Sequence, residues 1–490
     1  MQHVVIIGNG ISGITAARHI RKQSDCKITV ISGETDHFFS RTALMYIYMG
    51  HMKYEHTKPY EDSFWEKNRI ELKRAWVKTI DFEEKKLYFR LPNDDDKEAK
   101  IGGSISYDKL ILALGSTPNK FGWKGQNLAG VQGLYSYQDL ESLEETTQRI
   151  KKAVIVGGGL IGVELAEMLH SRGIEVTFLV RESSFWNIIM PPEESAIISR
   201  HIKENHINLQ LSSELDEIIG DDNGQVKAIR TKSSEQRPGE EIECQFVGLT
   251  VGVSPNISLL KVPQGNMIGR EKPAFVLGVG GIKLNRGILV NEYLETNIPD
   301  VYAIGDCVEH EIPPKGRKNL EQIWYTGRIM GETIARTITG KRTKYQPGIF
   351  FNSAKFFNIE YQTYGQVPAE LPADIKTFYW EQSSGIICVR INYSAENQSV
   401  TGMNTFGIRM RHEIWDEWIS SAKSIEYVLE NLSKANFDPE FFRQYEAEIL
   451  EKYNTETGSS IQLKSKKKIL FKNILKPCYK NSDSLFLLLH

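Results

Sequence analysis

Two glycine-rich hexads are the residues of this chain best suited to chemistry: Gly8-Asn9-Gly10-Ile11-Ser12-Gly13 and Gly157-Gly158-Gly159-Leu160-Ile161-Gly162. Val4-Val5-Ile6-Ile7 leads into the first and Ala153-Val154-Ile155-Val156 into the second, and each loop opens a segment of helical character. In that strand-turn-helix setting the first glycine permits a tight turn, the second lets a pyrophosphate reach the backbone, and the third lets helix and strand pack closely. The helix N-terminus then faces the phosphates. One such loop is weak evidence. Two in one chain imply two dinucleotides, and the usual reason to hold two is to pass electrons between them.

Other chemistry is scarce. The five cysteines, Cys26, Cys244, Cys307, Cys388 and Cys478, never form a CxxC pair, which fits a reducing compartment and offers neither a disulfide framework nor a metal knuckle. No metal-ligand spacing and no Ser-His-Asp arrangement stands out. His412-Glu413-Ile414-Trp415 has the residue types of an acid-base cluster but no partners at a second site, and reads as a helix with a satisfied histidine. A formal charge of -2 argues against nucleic acid as a partner. With 490 residues, 40% hydrophobic and 25% charged, the composition is that of a globular protein of several domains. Met1-Gln2-His3 supplies no basic leader, and no run nears the roughly 18 apolar residues of a membrane span, so the expected location is the cytoplasm.

The elements that must position the loops follow from periodicity. The first unit reads as a strand at 4–7, a helix over 14–22 and a strand at 27–32, with Glu34 about 20 residues beyond the loop, where a dinucleotide fold sets a carboxylate on a ribose. Residues 72–107 read as a β-meander around the acidic tip Asn93-Asp94-Asp95-Asp96-Lys97-Glu98. Lys109-Leu110-Ile111-Leu112-Ala113-Leu114 stops at Gly115-Ser116-Thr117-Pro118, and Val247-Gly248-Leu249-Thr250-Val251 stops at Gly252-Val253-Ser254-Pro255, so the halves repeat beyond their glycine loops. Strands at 287–290 and 301–306 and a helix over 320–339 follow, and 261–280 reads as a surface excursion. After Gly340-Lys341-Arg342 come aromatic strands, those around 350–357 suiting a core or a dimer interface, then helices at 424–432 and 439–453. The expected architecture is α/β: two Rossmann-like dinucleotide-binding domains plus a C-terminal α+β domain. The first occupies 1–120 and 253–340, the second 121–252 and the third 341–462; 463–490 is a basic, flexible tail suited also to peripheral membrane or partner contact.

In this order the motifs resemble the pyridine nucleotide-disulfide oxidoreductase superfamily, more narrowly its ferredoxin-reductase and nitrite-reductase-like branch, over residues 2–340. Residues 107–118 resemble the motif linking flavin and nucleotide domains, and Thr296-Asn297-Ile298-Pro299-Asp300-Val301-Tyr302-Ala303-Ile304-Gly305-Asp306 the later flavin motif. The resemblance implies FAD on Gly8, Gly10, Ile11, Ser12 and Gly13, with Glu34 on the adenosine ribose, Arg41 near the pyrophosphate and the Val77 backbone at the adenine. Ala113 and Gly115 belong to the linking motif, and Gly305 and Asp306 serve the ribityl chain. It implies NADH or NADPH on Gly157, Gly159, Leu160, Ile161 and Gly162, with Gly252 alongside. Arg181, beside Val180, tilts this towards NADPH because arginine pairs with a 2'-phosphate, while Glu182 next to it opposes the tilt. Glu164 and Trp324 are the expected catalytic residues. The lysine that such relatives place near the flavin is replaced here by Tyr46.

Phe38-Phe39-Ser40-Arg41-Thr42-Ala43-Leu44-Met45-Tyr46, where disulfide reductases carry their redox cysteines, has none. The resemblance therefore implies an FAD-dependent NAD(P)H oxidoreductase whose electrons leave to an external acceptor: a ferredoxin- or rubredoxin-like iron-sulfur protein, a quinone or O2. The alternative is a redox-sensing or scaffold flavoprotein of the apoptosis-inducing-factor type.

Overall fold

The computed structural model describes residues 1–91, 102–233, 238–262, 276–437 and 440–464. The acidic tip at 93–98, most of the excursion after 261 and the tail from 465 lie outside them. Two five-stranded parallel sheets organise the nucleotide-binding halves. The first has the order Val301–Ala303, Lys109–Leu112, His3–Ile7, Lys27–Ser32, Ile70–Arg74, and the second Asn208–Gln210, Glu175–Leu179, Lys152–Val156, Phe246–Leu249, Val131–Gln132. Their central strands are unbroken apolar runs, Val4-Val5-Ile6 and Ala153-Val154-Ile155, because both faces are covered. In the second half Ala153 and Ile155 share a core with Val163 and Leu165 of a helix, and Val154 shares another with Leu215, Ile218 and Ile229 of an antiparallel sheet.

Each sheet carries a three-stranded antiparallel sheet at the corresponding place in its half: Trp76–Asp81, Lys86–Arg90 and Gly103–Ser106 in the first, Leu215–Gly220, Val226–Thr231 and Glu241–Glu243 in the second. Here the reading of 72–107 as one meander needs correction. Ile70–Arg74 is the edge strand of the parallel sheet, and the antiparallel strands begin only at Trp76, past Ala75, whose N–H donates to Ser32 O at 2.9 Å. An edge strand with one covered face alternates like a meander strand, so its pattern did not distinguish the two.

The first loop helix runs Ile11–Gln23 and starts on the loop itself rather than at 14. The late helix starts at Trp324 rather than 320, with Ile323 in extended conformation at its N-cap, and Glu321 before it pairs with Arg317 at 2.5 Å. These two helices cross closely where Gly327 and Gly331 face Ser12: a Cβ on either would lie 2.6 Å from a Ser12 oxygen.

The C-terminal domain is a five-stranded antiparallel sheet in the order Phe351–Phe356, Ile359–Gly365, Val400–Phe406, Cys388–Ser394, Ile375–Glu381, with helices His412–Ser420, Ile425–Glu430 and Glu446–Thr457. The last helix begins later than the expected 439. One sheet face buries Trp415 and Trp418 with the domain's own helices. The other supplies Phe356, Tyr361 and Phe406 to a core shared with Phe185, Trp186 and Ile198 of the second nucleotide-binding half, so the 350–357 strand is core here. No helix among the described residues is long and apolar enough to cross a membrane, and no group of metal-ligating side chains gathers among them.

Candidate functional site

Both glycine loops are cut to the same pattern. Gly8 has φ +112°, and a Cβ there would sit 2.1 Å from Ala113 O, so the backbone of the neighbouring strand closes that position. A Cβ on Gly10 would meet nothing within 4 Å: this side of the loop is the open one, and it leaves room for phosphate oxygens to approach the backbone. Gly157, Gly159 and Gly162 repeat the arrangement around Thr250. Gly10 and Gly159 occupy the N-cap positions of their helices with no side-chain cap, so the first-turn N–H groups are left for an anion. These features fit two pyrophosphate-bearing ligands.

Asp306 sits in the turn Gly305–Cys307. It accepts from Ser116 Oγ at 3.2 Å; Ser116 Oγ in turn accepts from Gln322 Nε2 at 2.6 Å, while the Ser116 N–H donates to Tyr135 Oη at 2.8 Å. Burial pushes the Asp306 carboxyl up to about 6, against the pull of Ser116 and the Arg41 charge. Glu34 and Arg41, expected to make separate contacts, meet one another: Arg41 Nη1 and Nη2 donate to the two carboxylate oxygens at 2.8 and 2.6 Å, and the Tyr137 N–H adds a third bond at 3.0 Å. In this arrangement the Glu34 carboxylate is engaged by the Arg41 guanidinium and the Tyr137 N–H. Val77 lies on the strand Trp76–Asp81, beside the register shift between Val77 and Thr79.

On the second half, Glu164 lies in the helix Leu160–Ser171 and has no hydrogen-bonding or ionic partner among the described residues. Burial, reinforced by Glu167 one turn on, pushes its carboxyl up to about 7. Lys355, from the C-terminal strand Phe351–Phe356, brings its Nζ to 3.6 Å from Glu167 Oε1 and 5.9 Å from the centre of the Tyr46 ring. Tyr46 stacks on His51 at 6.2 Å. Lys355 lies more than 300 residues from Tyr46 in the sequence, where its only signal is a cation within an aromatic strand, and the carboxylate it approaches is Glu167 rather than Glu164. Trp324 opens its helix 37% exposed and edge-on to Tyr325 at 5.3 Å, two residues after Gln322. Arg181 is 71% exposed and donates to Glu182 at 2.7 Å, while Val180 is wholly buried beneath Gly158. His412 stacks between Phe351 and Tyr364, its pKa lowered by burial, and stands among aromatic rings rather than with acid-base partners.

The described cysteines are all free, and burial pushes Cys244 and Cys307 up to about 12. A thiol so protonated is no nucleophile. Residues 2–330, from the first loop through the turn bearing Asp306, match the model of the pyridine nucleotide-disulphide oxidoreductases. The chain belongs to this family.

Among its relatives, NAD(P)H nitrite reductase of Bacillus subtilis is 28% identical over 312 residues, which cover 63% of this chain and 34% of that one. An NADH oxidase of Methanocaldococcus jannaschii is 29% identical over 366 residues, 73% of this chain and 74% of the relative. The chain thus spans about a third of the nitrite reductase's length and about three quarters of the oxidase's. A ferredoxin reductase structure from Rhodopseudomonas palustris superposes with a TM-score of 0.69 at 20% identity over 92% of this chain and 100% of that one, a likeness of fold. Two dinucleotide-binding α/β units followed by an antiparallel-sheet domain, as expected above, is the fold observed.

Proposed function

We propose that this oxidoreductase is an FAD-dependent NAD(P)H:acceptor enzyme, with FAD on the loop Gly8–Gly13 and NAD(P)H on the loop Gly157–Gly162. The observation that carries this reading is the pair of open, uncapped glycine loops on one chain, with no cysteine in the segment 38–46. Bound there, FAD supplies hydride acceptance from the nicotinamide and delivery of electrons to an external acceptor. The chain's residues bind and orient. Asp306 accepts from a ribityl hydroxyl, and Gln322 and Ser116 hold its carboxylate in place. Glu34 braces the adenosine ribose and Arg41 the pyrophosphate, and Glu164 meets the nicotinamide amide from the helix that the second loop opens. Trp324 shields the ring face from water.

Arg181 favours NADPH, provided that it leaves Glu182 for the 2'-phosphate. The acceptor is a small iron-sulfur protein of the ferredoxin or rubredoxin kind, with quinone and O2 as the competing outcomes. Purified protein should be yellow, and anaerobic addition of NADPH, and more slowly NADH, should bleach the flavin band; a screen of acceptors then identifies which reoxidises it fastest. A colourless protein that FAD does not reconstitute would overturn the reading. Bleaching followed by a long-lived reduced state that no acceptor discharges would replace turnover with redox sensing.

A further inference from the structure

Away from both loops, the first nucleotide-binding half contains a cavity of about 340 Å³ between the C-terminal end of helix Ile11–Gln23, the short helix Ser63–Lys67 and the start of strand Ile70–Arg74. Five cations line it: Arg18, Arg21, Lys22, Lys67 and Arg69. The nearby acid in an ion pair is Asp25, 2.6 Å from Arg69. Lys22 and Lys67 make no ion pair among the described residues.

Helix dipoles do not account for so much charge. Each helix C-terminus is worth at most about half an elementary negative charge. Two such ends plus Asp25 offset about two of the five cations, leaving roughly three uncompensated. The cations are also held in place. Arg21 donates through Nη1 to Ser24 O at 3.0 Å and through Nη2 to Cys26 O and Arg69 O at 2.6 and 2.9 Å. The Arg18 guanidinium lies 4.5 Å over the Tyr60 ring, which itself stacks on Phe64 in the cavity wall at 4.6 Å. The Nε–H groups of both arginines are buried and donate to nothing. A buried donor without an acceptor is costly, and so is a cluster of like charges. Both costs fall when a multivalent anion enters.

We infer that this cavity binds a soluble phosphoester carrying at least two phosphate charges, its phosphates on the arginine and lysine heads and its less polar part against Phe64. Forked guanidinium groups match phosphate oxygens, and a concave pocket of this volume suits a small molecule rather than a protein face. The site is separate from the FAD pyrophosphate: at 1.5 Å rise per residue, Arg21 lies about 15 Å along the helix from Ile11.

The test is calorimetric titration of the FAD-loaded protein with inorganic pyrophosphate at low salt, with and without saturating NAD+. Binding at one site with Kd below about 1 mM, unchanged by NAD+ and by R181Q but weakened at least tenfold in an R18Q/K67Q variant, is the expected result. The flavin spectrum and melting temperature of that variant establish that it is folded, and the milder single change Lys67→Gln, on the exposed wall, should weaken binding severalfold. Absence of binding by the parent protein, or equal binding by the folded double variant, overturns the proposal. Binding to vesicles containing phosphatidylglycerol in the absence of any pyrophosphate binding would also overturn it, assigning the patch to a membrane surface instead.

Discussion

Glu164 changes its charge near neutral pH. Its carboxyl is raised from the ordinary glutamate range to about 7, first by burial and then by Glu167. A folded-state pKa above the unfolded one means that the native protein prefers the protonated form. The stability associated with that form is complete below about pH 4.5 and is lost as pH rises through 7. Glu164→Gln should abolish this slope, leaving the variant more stable than the parent at pH 8 by up to about 3 kcal/mol and little changed at pH 4; thermal unfolding across that range measures it. The rate of anaerobic flavin reduction should likewise lose a break near pH 7. A variant whose stability and rate profiles both track those of the parent would remove Glu164 from the site.

At the scale of elements, the strand Phe351–Phe356 connects the C-terminal domain to the helix that the second glycine loop opens, because it carries Lys355 to Glu167 and Tyr46. The pair is partly exposed, so its own contribution to stability is small, within about 1 kcal/mol. Its electrostatic effect on the helix Leu160–Ser171 is the informative quantity. Replacing Lys355 by Met leaves Glu167 without its cation, which should raise the pKa of Glu167 and slow flavin reduction severalfold at pH 7 with little change in melting temperature. Lys355→Arg should restore most of the rate. Stopped-flow reduction of the three proteins decides the matter: a rate unaffected by Met makes the contact a surface tether only.

For the whole molecule, the C-terminal domain is fastened to the second nucleotide-binding half by a shared core and by one buried ion cluster. Arg390 donates to Glu194 at 2.7 and 2.9 Å and to Glu193 at 2.6 Å, with Arg390 and Glu194 almost wholly buried. Removing one partner of such a pair strands the other in a low-dielectric core. Arg390→Met should therefore destabilise the protein by about 3–5 kcal/mol, whereas the double change Arg390→Met with Glu194→Met should recover much of that loss. Equilibrium unfolding of the two variants distinguishes this coupling from a simple packing effect, which would make the losses add.

The two loops, the absence of cysteine beside the flavin segment and the Gly305-Asp306 turn were legible in the sequence because each is a local constraint: a backbone conformation or a residue type within a few positions. Strand-helix alternation likewise gave the two α/β units and the change of texture after Gly340. The edge strand Ile70–Arg74 was misread because half-covered parallel and antiparallel strands share one alternation. Glu34 and Arg41 were each identified, but their mutual pairing depends on how the loop around 41 folds back on the strand end at 32. The lysine beside Glu167, the clamp of Arg390 on Glu194 and the basic cavity behind the first helix were decided only by tertiary structure. Their members come from distant parts of the chain, and no sequence spacing records which sheet face or helix end packing will bring together.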